Sequence, residues 1–160
     1  MKAKIRVLVI DDEAMFRMGL RIGLREFDDI CLEWEAGDGP TGLAIVADHK
    51  PDVAIVDIWL PGMDGIEVAE QIQRISPKTG IILSSGAFDD VALLKGIRLG
   101  VDGITTKTDS PAQFAAFIRR VNDGLFSCST SILNRGRTGM RHGLGIKPSG
   151  TTAADASPQR

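Results

Sequence analysis

Along this chain, short unbroken apolar runs alternate with longer stretches of helical spacing. Ile5, Val7, Leu8, Val9 and Ile10 form the first run, which stops at Asp11-Asp12. A run this apolar and rich in β-branched residues predicts a strand buried on both faces, as in a parallel sheet. From Ala14 to Phe27 the period changes. Phe16, Leu20, Leu24 and Phe27 fall at helical spacing, with Arg17, Arg21 and Arg25 on another face. Leu32 to Ala36 predicts a second strand, Gly37-Asp38-Gly39-Pro40 a turn, and Leu43, Val46 and Ala47 a helix. Val53 to Val56 is a third buried strand, ending at Asp57, and Pro61-Gly62-Met63-Asp64-Gly65 is a loop. Val68, Ala69, Ile72 and Ile75 make a helical stripe that stops before Pro77. Ile81 to Ser85 predicts strand four, and Val91, Leu94 and Ile97 a helix closed by Gly100. Ile104 marks a short fifth strand, followed by Lys107. Phe114, Phe117, Ile118, Val121 and Leu125 form the cleanest amphipathic helix, with Gly124 at its end.

Strand and helix therefore alternate five times before about residue 126. That predicts a doubly wound α/β domain on a five-stranded parallel sheet. Right-handed crossovers place helices on both faces, and ligands in such folds sit beyond the carboxyl ends of the strands. Asp11-Asp12, Asp57, Ser85 and Lys107 each end a predicted strand. Four strands thus deliver polar side chains to one edge.

Composition narrows the class. With 160 residues the chain can bury a substantial core, and its net charge of −2 argues against a nucleic-acid-coating protein. The total hides a split. Residues 1–134 carry a net of −6, and residues 135–160 a net of +4 from Arg135, Arg137, Arg141, Lys147 and Arg160 against Asp155. Gly, Pro, Ser and Thr supply 12 of those last 26 residues, which reads as a disordered tail rather than a second domain. Cys31 and Cys128 lie far apart and in no CxxC pattern. That excludes a disulfide framework and a cysteine zinc site, and free thiols fit the cytoplasm. No apolar run is long enough for a membrane span, and the N-terminus does not read as a secretory signal.

The charged strand ends carry the chemistry. Asp11, Asp12 and Asp57 are expected to converge within a few ångströms. Three carboxylates so close repel, which raises at least one pKa. A divalent cation relieves this, and all-oxygen ligation suits Mg²⁺. An acidic pair after a strand is by itself equally a helix N-terminus, where the dipole favours acids. Asp57 and Lys107 at matching strand ends weigh for the cation. Asp57 is the nucleophile candidate, since carboxylates can attack phosphoryl groups. Phosphoryl transfer needs positioning and charge neutralisation, which Mg²⁺ and Lys107 would supply. The Ser85 hydroxyl and backbone amides near Trp59 and Gly86 can donate to phosphoryl oxygens.

These residues match a family pattern. The chain reads V-I-D-D-E at 9–13, D-I-W-L-P-G-M-D-G-I-E from Asp57 to Glu67, L-S-S-G at 83–86 and G-V-D-G-I-T-T-K at 100–107. From residue 4 to about 126 it resembles the receiver domain of two-component response regulators, and N-D-G-L-F at 122–126 is most similar to the NarL/FixJ branch. The resemblance implies a flavodoxin-like (βα)5 receiver fold with strand order 2-1-3-4-5, over residues 1–126, with 127–160 as a basic tail. It implies phosphorylation of Asp57 by a histidine kinase with Mg²⁺, which the chain catalyses on itself without being a turnover enzyme. Asp12 would ligate Mg²⁺ directly, Asp11 mainly through water, and Asp57 and the Trp59 carbonyl would complete the protein ligands. Ser85 would be the switch hydroxyl, Lys107 the phosphoryl-contacting base, and Gly86 would leave room in the phosphoryl pocket. Ser84 competes with Ser85 for the hydroxyl role, and Gly86 is equally readable as a strand-end turn. The implied partners are a sensor histidine kinase or phosphotransfer protein, an effector protein and, as one option, a second copy of the chain.

Three departures from the family pattern stand out. Ile104 occupies the position of the usual strand-five aromatic, and the chain has no tyrosine. Thr108, not proline, follows Lys107. Only 34 residues follow Phe126, with no helical periodicity, so the usual helix-turn-helix output domain is not expected. The leading reading is a phosphoacceptor module acting through protein contacts. The alternatives are a DNA-binding NarL/FixJ regulator whose output domain is lost or truncated, a Mg²⁺-dependent phosphohydrolase, and an unphosphorylated interaction domain. Trp59, two residues past Asp57, is expected either to shield the acyl phosphate from water or to be a loop aromatic without a kinetic role.

Overall fold

The computed structural model describes residues 2–87 and 89–135. Its strands are β1 (Ile5–Ile10), β2 (Ile30–Ala36), β3 (Val53–Asp57), β4 (Gly80–Ser85), β5 (Gly103–Thr106) and β6 (Ser127–Cys128). Its helices are α1 (Ala14–Leu24), α2 (Gly39–His49), α3 (Gly65–Ile75), α4 (Asp90–Leu99) and α5 (Pro111–Asn122). All strand pairs are parallel, in the order β2-β1-β3-β4-β5-β6. The expected 2-1-3-4-5 order is present, with one strand added beyond β5.

Alternating strand residues feed two cores. Leu8, Ile10, Val56, Leu83 and Ile104 face one way, onto Leu43, Val68, Ile72 and Leu93 of α2, α3 and α4. Val7, Val9, Val53, Ile55 and Ile82 face the other way, onto Leu20, Leu24, Phe114 and Ile118 of α1 and α5. Burial on both faces explains why the strands read as continuous apolar runs.

Local chemistry sets most helix starts. Asp38, Asp64 and Asp89 accept backbone N–H bonds as N-caps of α2, α3 and α4. Ser110 and Gln113 form a capping box on α5. The N-cap of α1 is Glu13, whose side chain makes no capping bond. Gly65 opens α3 against the backbone of β3. A Cβ there would fall 2.0 Å from the Asp57 carbonyl oxygen, so only glycine lets the loop after Asp57 close this tightly.

The sheet continues past residue 126, where the domain is expected to end. Residues 127–135 are not tail. The N–H of Ser127 donates to the Asp102 carbonyl at 3.0 Å and that of Ser129 to Ile104 at 2.9 Å, which extends the sheet at the open edge of β5. Residues 130–135 are helical, and Ile132, only 4% exposed, enters the core beside Ile104 and Leu93. A two-residue polar strand has no periodicity to read; backbone pairing on an exposed edge forms it. The rest of the expected tail, 136–160, lies outside the described residues. α1 also stops at Leu24, short of Phe27, and β2 begins at Ile30 rather than Leu32.

Candidate functional site

Parallel strands with helices on both faces leave their carboxyl ends open along one edge. Asp11 follows β1, Asp57 ends β3, Ser85 ends β4 and Lys107 follows β5. Register holds them level: Asp57 pairs with Ser84, and Ser85 with Thr106. The Lys107 N–H donates to the Ser85 carbonyl at 3.0 Å, and that of Ile58 to Ser84 at 3.1 Å.

The three acids converge as expected. Asp11, Asp12 and Asp57 each offer a carboxylate oxygen within 4.8 Å of the others. Asp11 and Asp57 are 1% and 3% exposed, whereas Asp12 faces solvent. Burial pushes the carboxyl of Asp57 above its ordinary value, and the neighbouring Asp11 charge adds to this. Burial also raises Asp11, against the opposing pull of Lys107. These two groups resist holding full negative charge on their own, and a hard cation relieves that. The donor set is all oxygen and partly open to water, so the residues fit Mg²⁺.

Lys107 carries the positive charge on this edge. Its Nζ lies 3.1 Å from Asp57 Oδ2, 2.8 Å from Asp11 Oδ2 and 2.7 Å from Glu13 Oε1. The Asp57 and Glu13 contacts are aligned hydrogen bonds; the Asp11 contact is a close charge pair. Burial works against the ammonium, but its attraction to the three carboxylates outweighs it and holds its pKa above the usual lysine value. The ammonium itself sits over the Phe16 ring, with Nζ 5.1 Å from the centroid. Glu13 was not singled out from the sequence, although it stands third in the D-D-E run. Its engagement with Lys107 explains why α1 lacks a side-chain cap.

On the other flank, the Trp59 N–H donates to Asp57 Oδ1 at 3.1 Å. The Trp59 indole Nε1–H donates to the Ala87 carbonyl at 2.9 Å while the ring stays 56% exposed. The Ser85 hydroxyl donates to that same carbonyl at 2.8 Å and accepts the Ala87 N–H at 3.1 Å. Gly86 lies between them, exposed, and a Cβ there would meet nothing within 4 Å. Ser84 and Ser85 separate clearly. Both are fully buried, but the Ser85 hydroxyl is bonded to Ala87 of the strand-end loop, whereas that of Ser84 is unpartnered among the described residues. Ala87 was missed in the sequence because it contributes only backbone groups. Ile104 is buried in the core under this edge, and no cis peptide bond occurs among the described residues.

The comparisons with known proteins agree with this geometry. Residues 7–119 match the response regulator receiver domain family. The transcriptional regulatory protein LiaR of Bacillus subtilis is 35% identical over 138 residues, covering 86% of this chain and 65% of LiaR. The uncharacterized transcriptional regulatory protein YxjL of the same organism is 33% identical over 123 residues, covering 77% of this chain and 56% of the relative. The chain therefore spans less than two thirds of the length of these relatives. The signal receiver domain of the putative response regulator NarL from Mycobacterium tuberculosis superposes with a TM-score of 0.73 at 28% identity, over 77% of this chain and 99% of that one. A CheY-like receiver domain protein from Methanospirillum hungatei shares the fold, with a TM-score of 0.70 at 24% identity over 77% and 96% of the two chains. A parallel sheet in this strand order, with its acids and lysine at one edge, is thus the receiver domain of a two-component response regulator, and the chain belongs to that family.

Proposed function

We propose that this chain is a phosphoacceptor module that takes a phosphoryl group on Asp57 from a phosphohistidine of a sensor kinase or phosphotransfer protein. The observation that supports this most is the placement of the Asp57 carboxylate. It ends a buried strand, has two further carboxylates within reach and stands 3.1 Å from the Lys107 ammonium. Asp11, Asp12, Asp57 and the Trp59 carbonyl would hold Mg²⁺. When bound, the ion would offset the charge of the carboxylates and of the incoming phosphoryl oxygens.

In the proposed transfer, an Asp57 oxygen forms a bond to phosphorus as the phosphorus–nitrogen bond breaks, and the imidazole leaves with the bonding pair. Lys107 turns from Asp57 to a phosphoryl oxygen, and Ser85 redirects its proton from the Ala87 carbonyl to another. The Gly86 amide would donate to a third. The change in these contacts biases the faces built by β4, β5 and α4, and partner proteins read that bias. Asp57 loses the phosphoryl group to water, so the chain catalyses both steps on itself and turns over no free substrate.

Several features favour this setting over the alternatives. Position 59 is Trp, so the second carboxylate a phosphohydrolase needs two residues past Asp57 is missing. Among the described residues no helix is long and apolar enough to cross a membrane, and Cys31 and Cys128 are free thiols. Both support action in the cytoplasm. Incubation with acetyl phosphate and Mg²⁺, read by intact mass, tests the proposal. One added phosphoryl group, absent in Asp57→Ala, is expected. An unchanged mass in the native protein would overturn the proposal.

A second reading follows from the relatives, both described as transcriptional regulators, of which this chain matches only part. On that reading the basic residues of 135–160 would contact DNA phosphates. Salt-dependent DNA binding that is lost on deleting 135–160 would favour this reading.

A further inference from the structure

Trp59 touches two parts of the site at once. Its backbone N–H holds the Asp57 carboxylate at 3.1 Å, and its indole N–H holds the Ala87 carbonyl at 2.9 Å. Ala87 in turn is doubly bonded to the Ser85 hydroxyl, at 2.8 and 3.1 Å. Among the described residues, no other hydrogen bond holds Gly86 or Ala87. Gly86 and Ala87 are exposed, and no atom lies near the position of a Gly86 Cβ. On the neighbouring strand, Ile104 pairs with Leu83 and is apolar and buried, so it offers no polar group to the hydroxyl. A carbonyl oxygen has two lone pairs and accepts both donors. The indole bond therefore persists when the Ser85 proton turns elsewhere.

We propose that Trp59 is a positioning residue for phosphoryl capture: its indole N–H anchors Ala87, and through Ala87 it holds the Ser85 hydroxyl within reach of the phosphoryl group on Asp57. This rests on the phosphoacceptor reading of Asp57 and Ser85. In holding the hydroxyl, the ring acts through its indole donor rather than its bulk. Loss of the anchor frees the turn at Gly86, so the hydroxyl spends less time in the competent position.

A double-mutant cycle on the full chain tests this. Wild type, Trp59→Phe, Ser85→Ala and the double variant are titrated with beryllofluoride in saturating Mg²⁺, with binding read by ¹⁹F NMR. Trp59→Phe keeps an aromatic ring and removes the donor. It is expected to weaken beryllofluoride binding about three- to tenfold, the range of one hydrogen bond. In the Ser85→Ala background the same change is expected to have no effect, because the hydroxyl it positions is gone. The indole N–H resonance of Trp59 is expected to stay protected from exchange with and without beryllofluoride. Equal affinity of wild type and Trp59→Phe would overturn the proposal. So would an equal penalty in both backgrounds, which would mean that the ring acts independently of Ser85. A wild-type protein that binds no beryllofluoride would overturn the phosphoacceptor reading and this proposal with it.

Discussion

The Lys107 ammonium stands 3.1 Å from Oδ2 of Asp57, 50 residues earlier in the chain. Asp11 and Glu13 share the same ammonium. One cation thus serves three carboxylates, and burial leaves Asp57 and Asp11 with raised pKa values. A raised carboxyl pKa means that the fold favours the neutral form, so the ionised group costs stability at neutral pH. Asp57→Asn is therefore expected to stabilise the ion-free protein by about 1 kcal/mol, roughly 3–5 °C in Tm. Thermal unfolding in EDTA measures this. A lower Tm would show that the Lys107 contact outweighs burial and repulsion.

Magnesium should act on the same cluster. An ion that binds only the folded state stabilises it by mass action, by about 1.4 kcal/mol at ten times the Kd. Added Mg²⁺ is expected to raise the Tm of the native chain and to leave Asp12→Ala nearly unmoved. Asp12 faces solvent beside the two buried acids, so its removal takes a ligand without opening the core. Equal Mg²⁺ shifts in both proteins would remove Asp12 from the ligand set.

Acid should reach Asp57 early in the ion-free protein. Burial and the neighbouring Asp11 charge hold its carboxyl above the usual 3.8. In EDTA, carboxyl ¹³C NMR is therefore expected to show Asp57 taking up its proton at a higher pH than a free aspartate. Relief of the buried charge favours the ion-free fold as pH falls through the folded pKa. Asp11→Asn removes a repelling charge and is expected to move the Asp57 titration toward lower pH. A titration at the same pH in both proteins would contradict this.

Trp59 also brings bulk to this edge. Its ring reaches from the loop after β3 to Ala87, where it would stand between water and a phosphoryl group on Asp57. Trp59→Asn is expected to shorten the phosphate half-life several-fold, read as loss of the added mass after donor removal. An unchanged half-life would leave the ring without a shielding role.

Beyond α5, Ile132 is 4% exposed and packs into the core with Ile104 and Leu93. Ile132→Ala is expected to cost about 2–4 kcal/mol, as for other large-to-small core changes, by denaturant unfolding. A cost under about 0.5 kcal/mol, the scale of a surface change, would mean that 127–135 contributes nothing to the fold.

The fold and the site were legible in the sequence to different depths. Val53 to Val56 and Ile81 to Leu83 read as strands because burial on both faces forces every position to be apolar. The acids and Lys107 read as one site because each ends such a run. What could not be read has a common physical cause: it depends on backbone groups or on tertiary reach. β6 is two residues of polar sequence that form a strand only because β5 leaves an open edge. Ala87 matters through its carbonyl and N–H, which any residue carries. Glu13 reaches Lys107 across 94 residues, and nothing local to Glu13 announces that contact. Spacing to Gly100 and Lys107 favours Ser85 over Ser84, but only the folded strand shows the Ser85 hydroxyl bonded to the loop and that of Ser84 without a partner among the described residues.

The central claim is covalent chemistry at one carboxylate. Its most direct test is borohydride trapping after phosphorylation with acetyl phosphate and Mg²⁺, followed by peptide mass mapping. Borohydride reduces an aspartyl phosphate to homoserine. Conversion at Asp57 alone, abolished by EDTA, is the expected result. Conversion at Asp11 or Asp12 instead, or none at any residue of a folded protein, would contradict it.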